Sequence, residues 1–244
     1  MGEASHAVQL YQEENDLVEA LSAFAASGLA QGEGVVVIGS APRWKALTER
    51  LRAGGADTHA AVLRGQLRLF GARTILSSCM GRGVPERLAF NEAISGILGL
   101  MRMRYPALRV FGELTDILWA EGRREAAEAI ERFWNALVVA QPLSLLCACP
   151  LDALDGRAYE GALQRVCALH THLVPARDCN AFNEAVSSAV REVLEPQLVG
   201  MLHSLSSQNR PGTQMPVGQV VMLWLSQHMP RTAEKVLARA RARM

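Results

Sequence analysis

Several features are scarce in this 244-residue sequence, and each scarcity excludes a class of protein. No apolar run approaches the roughly 20 residues that a membrane-spanning helix needs, so we do not expect this chain to be an integral membrane protein. The charges nearly cancel, with 25 lysines and arginines against 24 aspartates and glutamates, and bulk charge therefore does not predict a polyanion-binding protein. Half of the residues are hydrophobic, which is too many for a disordered chain.

Disulfide and export signals are also missing. The five cysteines are odd in number and have no framework spacing, so reduced thiols are expected. Residues 1–16 carry acidic side chains but no lysine or arginine before the first apolar stretch, unlike a secretory signal. Both observations predict a cytoplasmic protein.

The first predicted turn lacks the residues of a phosphate-binding loop. Gln12–Asp16 contains neither the glycine that allows close backbone approach nor the lysine that binds phosphate. It carries Glu13, Glu14 and Asp16 instead, at the start of a predicted helix. A helix N-terminus attracts one anion, and these carboxylates take that place and repel a triphosphate. The turn therefore argues against an ATPase mechanism.

A second segment imitates a phosphate-binding loop only in length. Gly39–Ala46 follows a predicted strand, but Trp44 stands where the second glycine is needed and Ala46 where a hydroxyl must hold magnesium. The segment indicates an ordinary strand-to-helix loop with a proline at the helix start. Arg43 and Lys45 remain able to face an anionic ligand.

Hydrophobic periodicity predicts an α/β fold followed by helices alone. The predicted strands are His6–Tyr11, Val35–Ile38, Val62–Phe70 (with a possible bulge at Gly65), Leu108–Phe111 and Leu143–Cys149. The predicted helices between and after them are Asp16–Gln31 (with Asp16 as N-cap), Trp44–Arg52, Pro85–Arg104, Arg123–Ala140 and Arg157–His172. This alternation favours a parallel sheet covered by helices on both faces.

Beyond Pro175 only helical patterns remain. They cover Phe182–Ser206, interrupted at Pro196, then Val217–His228 and Thr232–Arg243. We therefore predict two domains, an α/β domain over residues 1–175 and an all-helical extension over residues 176–244.

Two groups of residues have identities suited to chemistry. Glu113 and Asp116 follow a middle strand, where an acid can serve as metal ligand or base, or can simply cap a helix or pair with a basic side chain. Cys167 and His170 align on one face of a predicted helix, which keeps zinc as a minority hypothesis. His6 and the pair Cys147 and Cys149 are interpreted as core residues. The sequence leads us to expect no cofactor.

The last predicted helix is basic. Five arginines and lysines oppose one glutamate from Arg231 onward, which a solvated helix end explains, since positive charge complements the helix dipole there. Together with Val217–His228 this helix could imitate a helix-turn-helix, so weak support for DNA binding remains.

Motifs in a fixed order resemble a known family. They are His6-x3-Leu10-Tyr11, Phe24-x3-Gly28-Leu29-x2-Gly32-Glu33, Gly65-x-Leu67, Arg109-Val110-Phe111-Gly112-Glu113, Glu131-x3-Asn135, Leu146-Cys147-x-Cys149-Pro150 and His170. This series, over roughly residues 5–175, resembles the MEDS domain, a methanogen and methylotroph sensory domain named from a dichloromethane-dehalogenase regulator. That family is similar to the KaiC/RecA-like ATPases with the phosphate loop lost. The resemblance implies a KaiC/RecA-like fold and a regulatory protein that senses small organic compounds.

We therefore expect a sensory protein without catalytic activity. A small organic ligand would bind at the carboxyl edge of the sheet, and residues 176–244 would mediate self-association or contact with a regulatory protein. Two alternatives stay open: a DNA-binding transcription regulator, and a residual nucleotide- or metal-dependent enzyme that uses Glu113 and Asp116. The predicted ligand-binding residues are Tyr11, Gln12, Glu13, Ser40, Trp44, Glu113 and Cys149.

Overall fold

The computed structural model describes residues 5–141, 143–150, 156–159, 161–174, 179–208 and 216–244. The chain divides into two units, Met1–Pro150 and Leu151–Met244. The boundary predicted near residue 176 falls within residues 175–178, which lie outside the described residues, and it stays a prediction.

The first unit alternates strands with helices, as its periodicity predicts. Its strands are β1 (Ser5–Tyr11), β2 (Gly34–Gly39), β3 (Leu67–Gly71), β4 (Met80–Gly81), β5 (Val84–Pro85), β6 (Leu108–Gly112) and β7 (Leu143–Pro150). Its helices are α1 (Glu14–Ala30), α2 (Ala41–Ala53), α3 (Thr58–Leu63), α4 (Ala72–Cys79), α5 (Arg87–Arg102), α6 (Leu114–Ala120) and α7 (Arg124–Ala140).

Five of these strands form a sheet in the order β3-β2-β6-β7-β1, and every neighbouring pair is parallel. β2 is buried along its whole length, which agrees with its unbroken run of β-branched residues, Val35–Ile38. The strands β4 and β5 form a separate antiparallel hairpin. The predicted parallel α/β architecture is confirmed.

The strand order creates a crevice at one position of the sheet. Because crossovers between parallel strands are right-handed, α1, α2 and α3 cover one face of the sheet and α4, α5 and α7 cover the other. Contacts agree, since α1 packs on α2 whereas α5 packs on α4 and α7. The chain therefore leaves the neighbouring strands β2 and β6 toward opposite faces of the sheet. Such a switch point, at the carboxyl ends of the strands, is where open α/β sheets bind ligands.

Two predicted elements were wrong in extent. The strand predicted over Val62–Phe70 contains only β3, because its first residues belong to α3, whose N-cap Asp57 accepts a hydrogen bond from Ala60 N at 2.9 Å. Gly65 is not in a bulge but turns the chain between α3 and β3 with φ of +70°. The helix predicted over Arg157–His172 is a 3₁₀ turn at Gly156–Tyr159 and then α8 (Ala162–Leu169).

The start of α1 differs from its prediction as well. The helix begins at Glu14 with Glu13 as N-cap, and no side chain caps it, so Asp16 is a first-turn residue rather than the cap. The periodicity also missed α4 and α6, which have 8 and 7 residues and are too short for a repeated apolar face. Pro85 lies in β5 rather than at the start of α5.

The second unit consists mainly of helices. After α8 come β8 (His172–Val174), α9 (Cys179–Val193), α10 (Pro196–Gln208), α11 (Val217–His228) and α12 (Pro230–Arg241). The predicted break at Pro196 and the predicted bounds of Val217–His228 are confirmed. α12 packs on α9 through a face of small and branched residues spaced three and four apart, namely Ala233, Val236, Leu237 and Ala240. Among the described residues, no helix is both long and apolar enough to cross a membrane.

Candidate functional site

The loops that follow β2 and β6 are held together at the carboxyl edge of the sheet. Ile38 pairs with Gly112 in the register of these strands, and Glu113 N donates to Ile38 O at 3.0 Å. Ser40 N in turn donates to Glu113 Oε2 at 2.6 Å. At the switch point between the two strands, the carboxylate of Glu113 therefore joins the loop after β6 to the backbone of the loop after β2.

A single guanidinium connects the acidic side chains around this point. Arg43 Nη1 lies 2.6 Å from Asp116 Oδ2 and 3.2 Å from Glu113 Oε1. Its Nε and Nη2 donate to the two carboxylate oxygens of Glu14 at 2.6 and 2.9 Å. The hydroxyl of Tyr11 accepts from Arg43 Nη2 at 2.9 Å and donates to Asp116 Oδ1 at 2.7 Å. We call these five residues the Arg43 cluster.

Burial shifts the pKa values of side chains in the Arg43 cluster. The side chains of Arg43, Glu113 and Asp116 are 8, 7 and 7% exposed, whereas Glu14 is half-exposed. Burial raises the pKa of Glu113, and the charge of Asp116 adds to this, although Arg43 and the Ser40 amide oppose it. Burial and then Asp116 raise the pKa of Tyr11 well above its ordinary value, so this hydroxyl stays protonated and can donate.

The indole of Trp44 completes the edge beside Glu113. A Cβ added to Gly39 would lie 3.1 Å from Glu113 Oε2 and 3.4 Å from Trp44 Nε1, so the strand end lies against both groups. Trp44 is half-exposed, yet its Nε1 is buried and has no acceptor among the residues that the structure describes. The indole thus offers a partly exposed apolar ring together with a buried hydrogen-bond donor.

The structure brings together four of the seven predicted ligand-binding residues. Tyr11 and Glu113 belong to the Arg43 cluster, Ser40 binds Glu113, and Trp44 lies beside them. This supports the prediction that these loops meet at one edge.

The other three predicted residues lie at the same edge without joining the Arg43 cluster. Gln12 and Glu13 are exposed, and Glu13 accepts a backbone hydrogen bond from Asp16 N at 3.0 Å. Cys149 is buried in β7, where it pairs with Leu10 of β1.

Sequence reasoning left the central residue of this site unassigned. Arg43 appeared only as a group able to face an anion, Glu14 only as a repulsive charge, and Asp116 as a possible metal ligand or base. The structure shows that these charges neutralise each other in part. The sequence did contain a signal for the role of Arg43. Acidic residues are in surplus after the first and fourth predicted strands, and a cation from the loop after the second predicted strand, at the same edge, is needed to balance them.

A second polar cluster lies within the packing of α7 against β1 and β7. His6 Nε2 is 3.1 Å from Glu131 Oε2 and 3.3 Å from Cys147 Sγ, and Cys147 Sγ is 3.6 Å from Glu131 Oε2. His6 Nδ1 lies 2.9 Å from Asn135 Oδ1. His6, Glu131 and Cys147 are buried. We call these four residues the His6 cluster.

The His6 cluster contains a cysteine, a histidine and an amide in the order that cysteine nucleophiles use. Burial raises the pKa of the Cys147 thiol well above its ordinary value, and the adjacent Glu131 carboxylate raises it further. A thiol that is fully buried beside a carboxylate is a poor nucleophile, because the thiolate is disfavoured and no substrate reaches it. The His6 cluster is therefore unsuited to nucleophilic catalysis.

Cys147 is not a merely apolar core residue as the sequence predicted, whereas His6 is a buried residue with its hydrogen bonds satisfied, as expected. Cys147 contacts two polar side chains, and His6 is hydrogen bonded through both ring nitrogens. The signal was present in the motif Glu131-x3-Asn135, since residues four apart share one face of a helix. The side chain of Cys167 lies outside the described residues, so the predicted pair Cys167 and His170 stays a prediction.

Comparison with known families gives one match. The family model described as MEDS: MEthanogen/methylotroph, DcmR Sensory domain matches residues 5–171, which is more than half of the chain. A search of the curated proteins finds no match.

Proposed function

Because the chain belongs to the MEDS family of sensory domains, we propose that it recognises a small organic ligand at the carboxyl edge of its sheet and acts without catalysis. The observation that carries this proposal is the Arg43 cluster. It occupies the switch point between β2 and β6, where open α/β sheets bind their ligands.

The charge of the Arg43 cluster selects against nucleotides. Three carboxylates oppose one guanidinium, so a triphosphate meets net negative charge where a phosphate-binding loop supplies lysine and backbone amides. All guanidinium nitrogens of Arg43 are already engaged by this chain. The proposal therefore describes a KaiC/RecA-like scaffold on which internal ion pairs replace the nucleotide.

The character of the ligand follows from the groups that remain. The partly exposed indole ring of Trp44 supplies an apolar surface, and its buried N–H supplies one donor. Such a surface suits a small, uncharged compound with at most one acceptor atom. The family description names methanogens and methylotrophs, so one-carbon compounds are the first probes.

Output through residues 176–244 is the second part of the proposal. The apolar run of α11 is buried within the second unit and therefore does not offer a surface to a partner. Its buried residues are Val220, Val221, Met222, Leu223 and Leu225. Leu198 and Met201 of α10 are exposed, and their spacing of three places them on one side of the helix. We propose this side of α10 as the surface for self-association or a regulatory partner.

A DNA-binding regulator remains the second candidate, favoured by the exposed basic side chains of α12. Arg231, Lys235, Arg239 and Arg241 are exposed, whereas Arg243 pairs with Glu192 of α9. DNA binding through phosphates weakens steeply with salt, so a mobility-shift titration at 50 and 200 mM salt tests this candidate.

Tryptophan fluorescence tests ligand recognition at the carboxyl edge. Methanol and dichloromethane are titrated into the full chain, and a saturable change in emission is expected. Trp44→Phe should abolish this change because the reporting ring and its donor are both altered. Trp224→Phe is the matched control, since Trp224 stacks on His228 in the second unit, and it should keep the change. Calorimetric binding of ATP with magnesium would contradict the proposal.

A further inference from the structure

The donor atoms of the His6 cluster differ from those of an ordinary buried ion pair. An imidazole nitrogen, a carboxylate oxygen and a thiol sulfur converge from β1, α7 and β7, and all three atoms lie within 4.8 Å of one another. Nitrogen, sulfur and carboxylate oxygen together form a donor set that zinc takes in proteins. All three of these residues belong to the first unit, and none of them belongs to the Arg43 cluster.

The spacing of the three atoms matches a tetrahedral zinc centre. Zinc bonds of about 2.1 Å to nitrogen and oxygen and about 2.3 Å to sulfur give ligand-to-ligand distances of about 3.4–3.6 Å at tetrahedral angles. The observed distances are 3.1 Å from His6 Nε2 to Glu131 Oε2, 3.3 Å from His6 Nε2 to Cys147 Sγ and 3.6 Å from Cys147 Sγ to Glu131 Oε2. A shift of about 0.3 Å therefore suffices for all three to bind one ion.

Asn135 holds His6 in the tautomer that metal binding requires. An amide oxygen only accepts, so the 2.9 Å contact from Asn135 Oδ1 fixes a proton on His6 Nδ1 and directs the lone pair of Nε2 toward Glu131 and Cys147. Metal-binding histidines usually donate their second ring N–H to such an acceptor. Because Asn135 follows Glu131 by one helical turn, α7 presents a ligand and its support on one face.

We propose that His6 Nε2, Glu131 Oε2 and Cys147 Sγ bind one zinc ion, with Asn135 as the positioning residue. The ion replaces the proton of the thiol and neutralises the buried carboxylate. It ties β1 and β7 to α7, so binding energy becomes folding energy of the first unit. This inference does not depend on the proposed ligand at the carboxyl edge.

Metal content of the full chain, purified without a histidine tag, tests the proposal. After incubation with zinc and gel filtration, elemental analysis should give about one zinc per wild-type chain. Cys147→Ala should lose it, whereas Cys79→Ala, a second buried free cysteine outside the His6 cluster, should keep it. A wild-type chain without bound zinc, or equal zinc in Cys147→Ala, overturns the proposal.

Two further measurements decide the matter if Cys147→Ala does not fold. Cobalt bound to the wild-type chain should show a thiolate-to-metal charge-transfer band in the near ultraviolet, and cobalt binding without that band overturns the proposal. Asn135→Ala keeps all three ligands and should weaken zinc about 10–100-fold in competition with a chelator. Unchanged zinc affinity in this variant removes Asn135 from its positioning role.

Discussion

At the scale of single residues, the Arg43 cluster is balanced by one cation. Arg43 contacts two nearly buried carboxylates and one half-exposed carboxylate, and it lies 5.6 Å from the centre of the Tyr11 ring. Burial alone would lower the pKa of Arg43, but the hydrogen bonds that Arg43 donates to Glu14 and the charges of Asp116 and Glu113 outweigh burial and raise it. The guanidinium thus stays charged and holds the two loops together.

Arg43→Met is expected to lower the free energy of unfolding by about 3–5 kcal/mol, because removal of one partner leaves buried charge without compensation. Methionine keeps the length and apolar contacts of the stem, so lost volume contributes little. Urea denaturation followed by circular dichroism measures the change. Arg73→Met is the matched control, since Arg73 pairs with Glu121 on the surface, and it should cost less than about 1 kcal/mol. Equal effects of the two variants would refute the argument.

The raised pKa of Glu113 predicts a pH dependence with a definite sign. Its folded pKa exceeds its unfolded value, so the folded state binds the proton more tightly and stability falls as pH rises from the ordinary glutamate range through the folded pKa. Glu113→Gln removes this titration but keeps an acceptor for the Ser40 amide. The stability of wild type minus that of Glu113→Gln should therefore decrease between about pH 4 and neutrality. A difference that grows with pH would contradict this.

Individual site residues were only partly predictable from the sequence. Tyr11, Ser40 and Glu113 were expected at one edge because parallel strands end together, and their contacts follow that rule. The orientation of Arg43 was not predictable, since α2 begins three residues before its predicted start and carries this side chain into the crevice. The local motif Glu131-x3-Asn135 places two members of the His6 cluster on one face of α7, but their contacts with His6 and Cys147 depend on packing between elements far apart in the sequence.

At the scale of elements, the close approach of α1 to the sheet depends on one glycine. A Cβ at Gly28 would lie 2.7 Å from Arg109 Cδ and 3.0 Å from Val35 Cγ2. Arg109 has little freedom to move, because it pairs with Glu33 and stacks on the Phe24 ring at 5.2 Å. The helix therefore packs directly on β2 and β6 at this position.

Gly28→Ala should destabilise the chain although alanine favours helices. The gain in helix propensity is about 1 kcal/mol, whereas a crowded core position costs about 1–3 kcal/mol, so we expect a net loss of up to about 2 kcal/mol. Gly96→Ala is the matched control, because Gly96 lies in α5 with no atom within 4 Å of an added Cβ, and it should gain about 0.5–1 kcal/mol. Thermal unfolding of both variants measures the contrast. Stabilisation by Gly28→Ala would show that Arg109 yields.

The errors among the elements have local causes. The strand predicted over Val62–Phe70 merged two elements, because Val62 and Leu63 suit a strand as well as the last turn of α3. The short helices α4 and α6 gave no repeating signal. The strand β2 was found because burial on both faces gives an unbroken apolar run, and the long helices α7 and α11 were found because burial imposes a sustained pattern.

At the scale of the whole molecule, the family match and the packing units end at different residues. The match extends to residue 171, whereas the first unit ends at Pro150, so the matched sequence includes α8 of the second unit. The helices α9 to α12 follow the matched region and have a shared core of their own. We propose that these helices carry the output of this protein.

Self-association through α10 is the last expectation. Leu198 and Met201 are exposed on one side of this helix, and their burial between two copies would release apolar surface from water. Native mass spectrometry of the full chain should show a dimer, and the double variant Leu198→Glu with Met201→Glu should raise its dissociation constant at least tenfold, about 1.4 kcal/mol. Leu88→Glu on α5, which changes a leucine that is more exposed than either residue, should leave the dimer intact. A monomeric wild-type chain at tens of micromolar would refute self-association through α10.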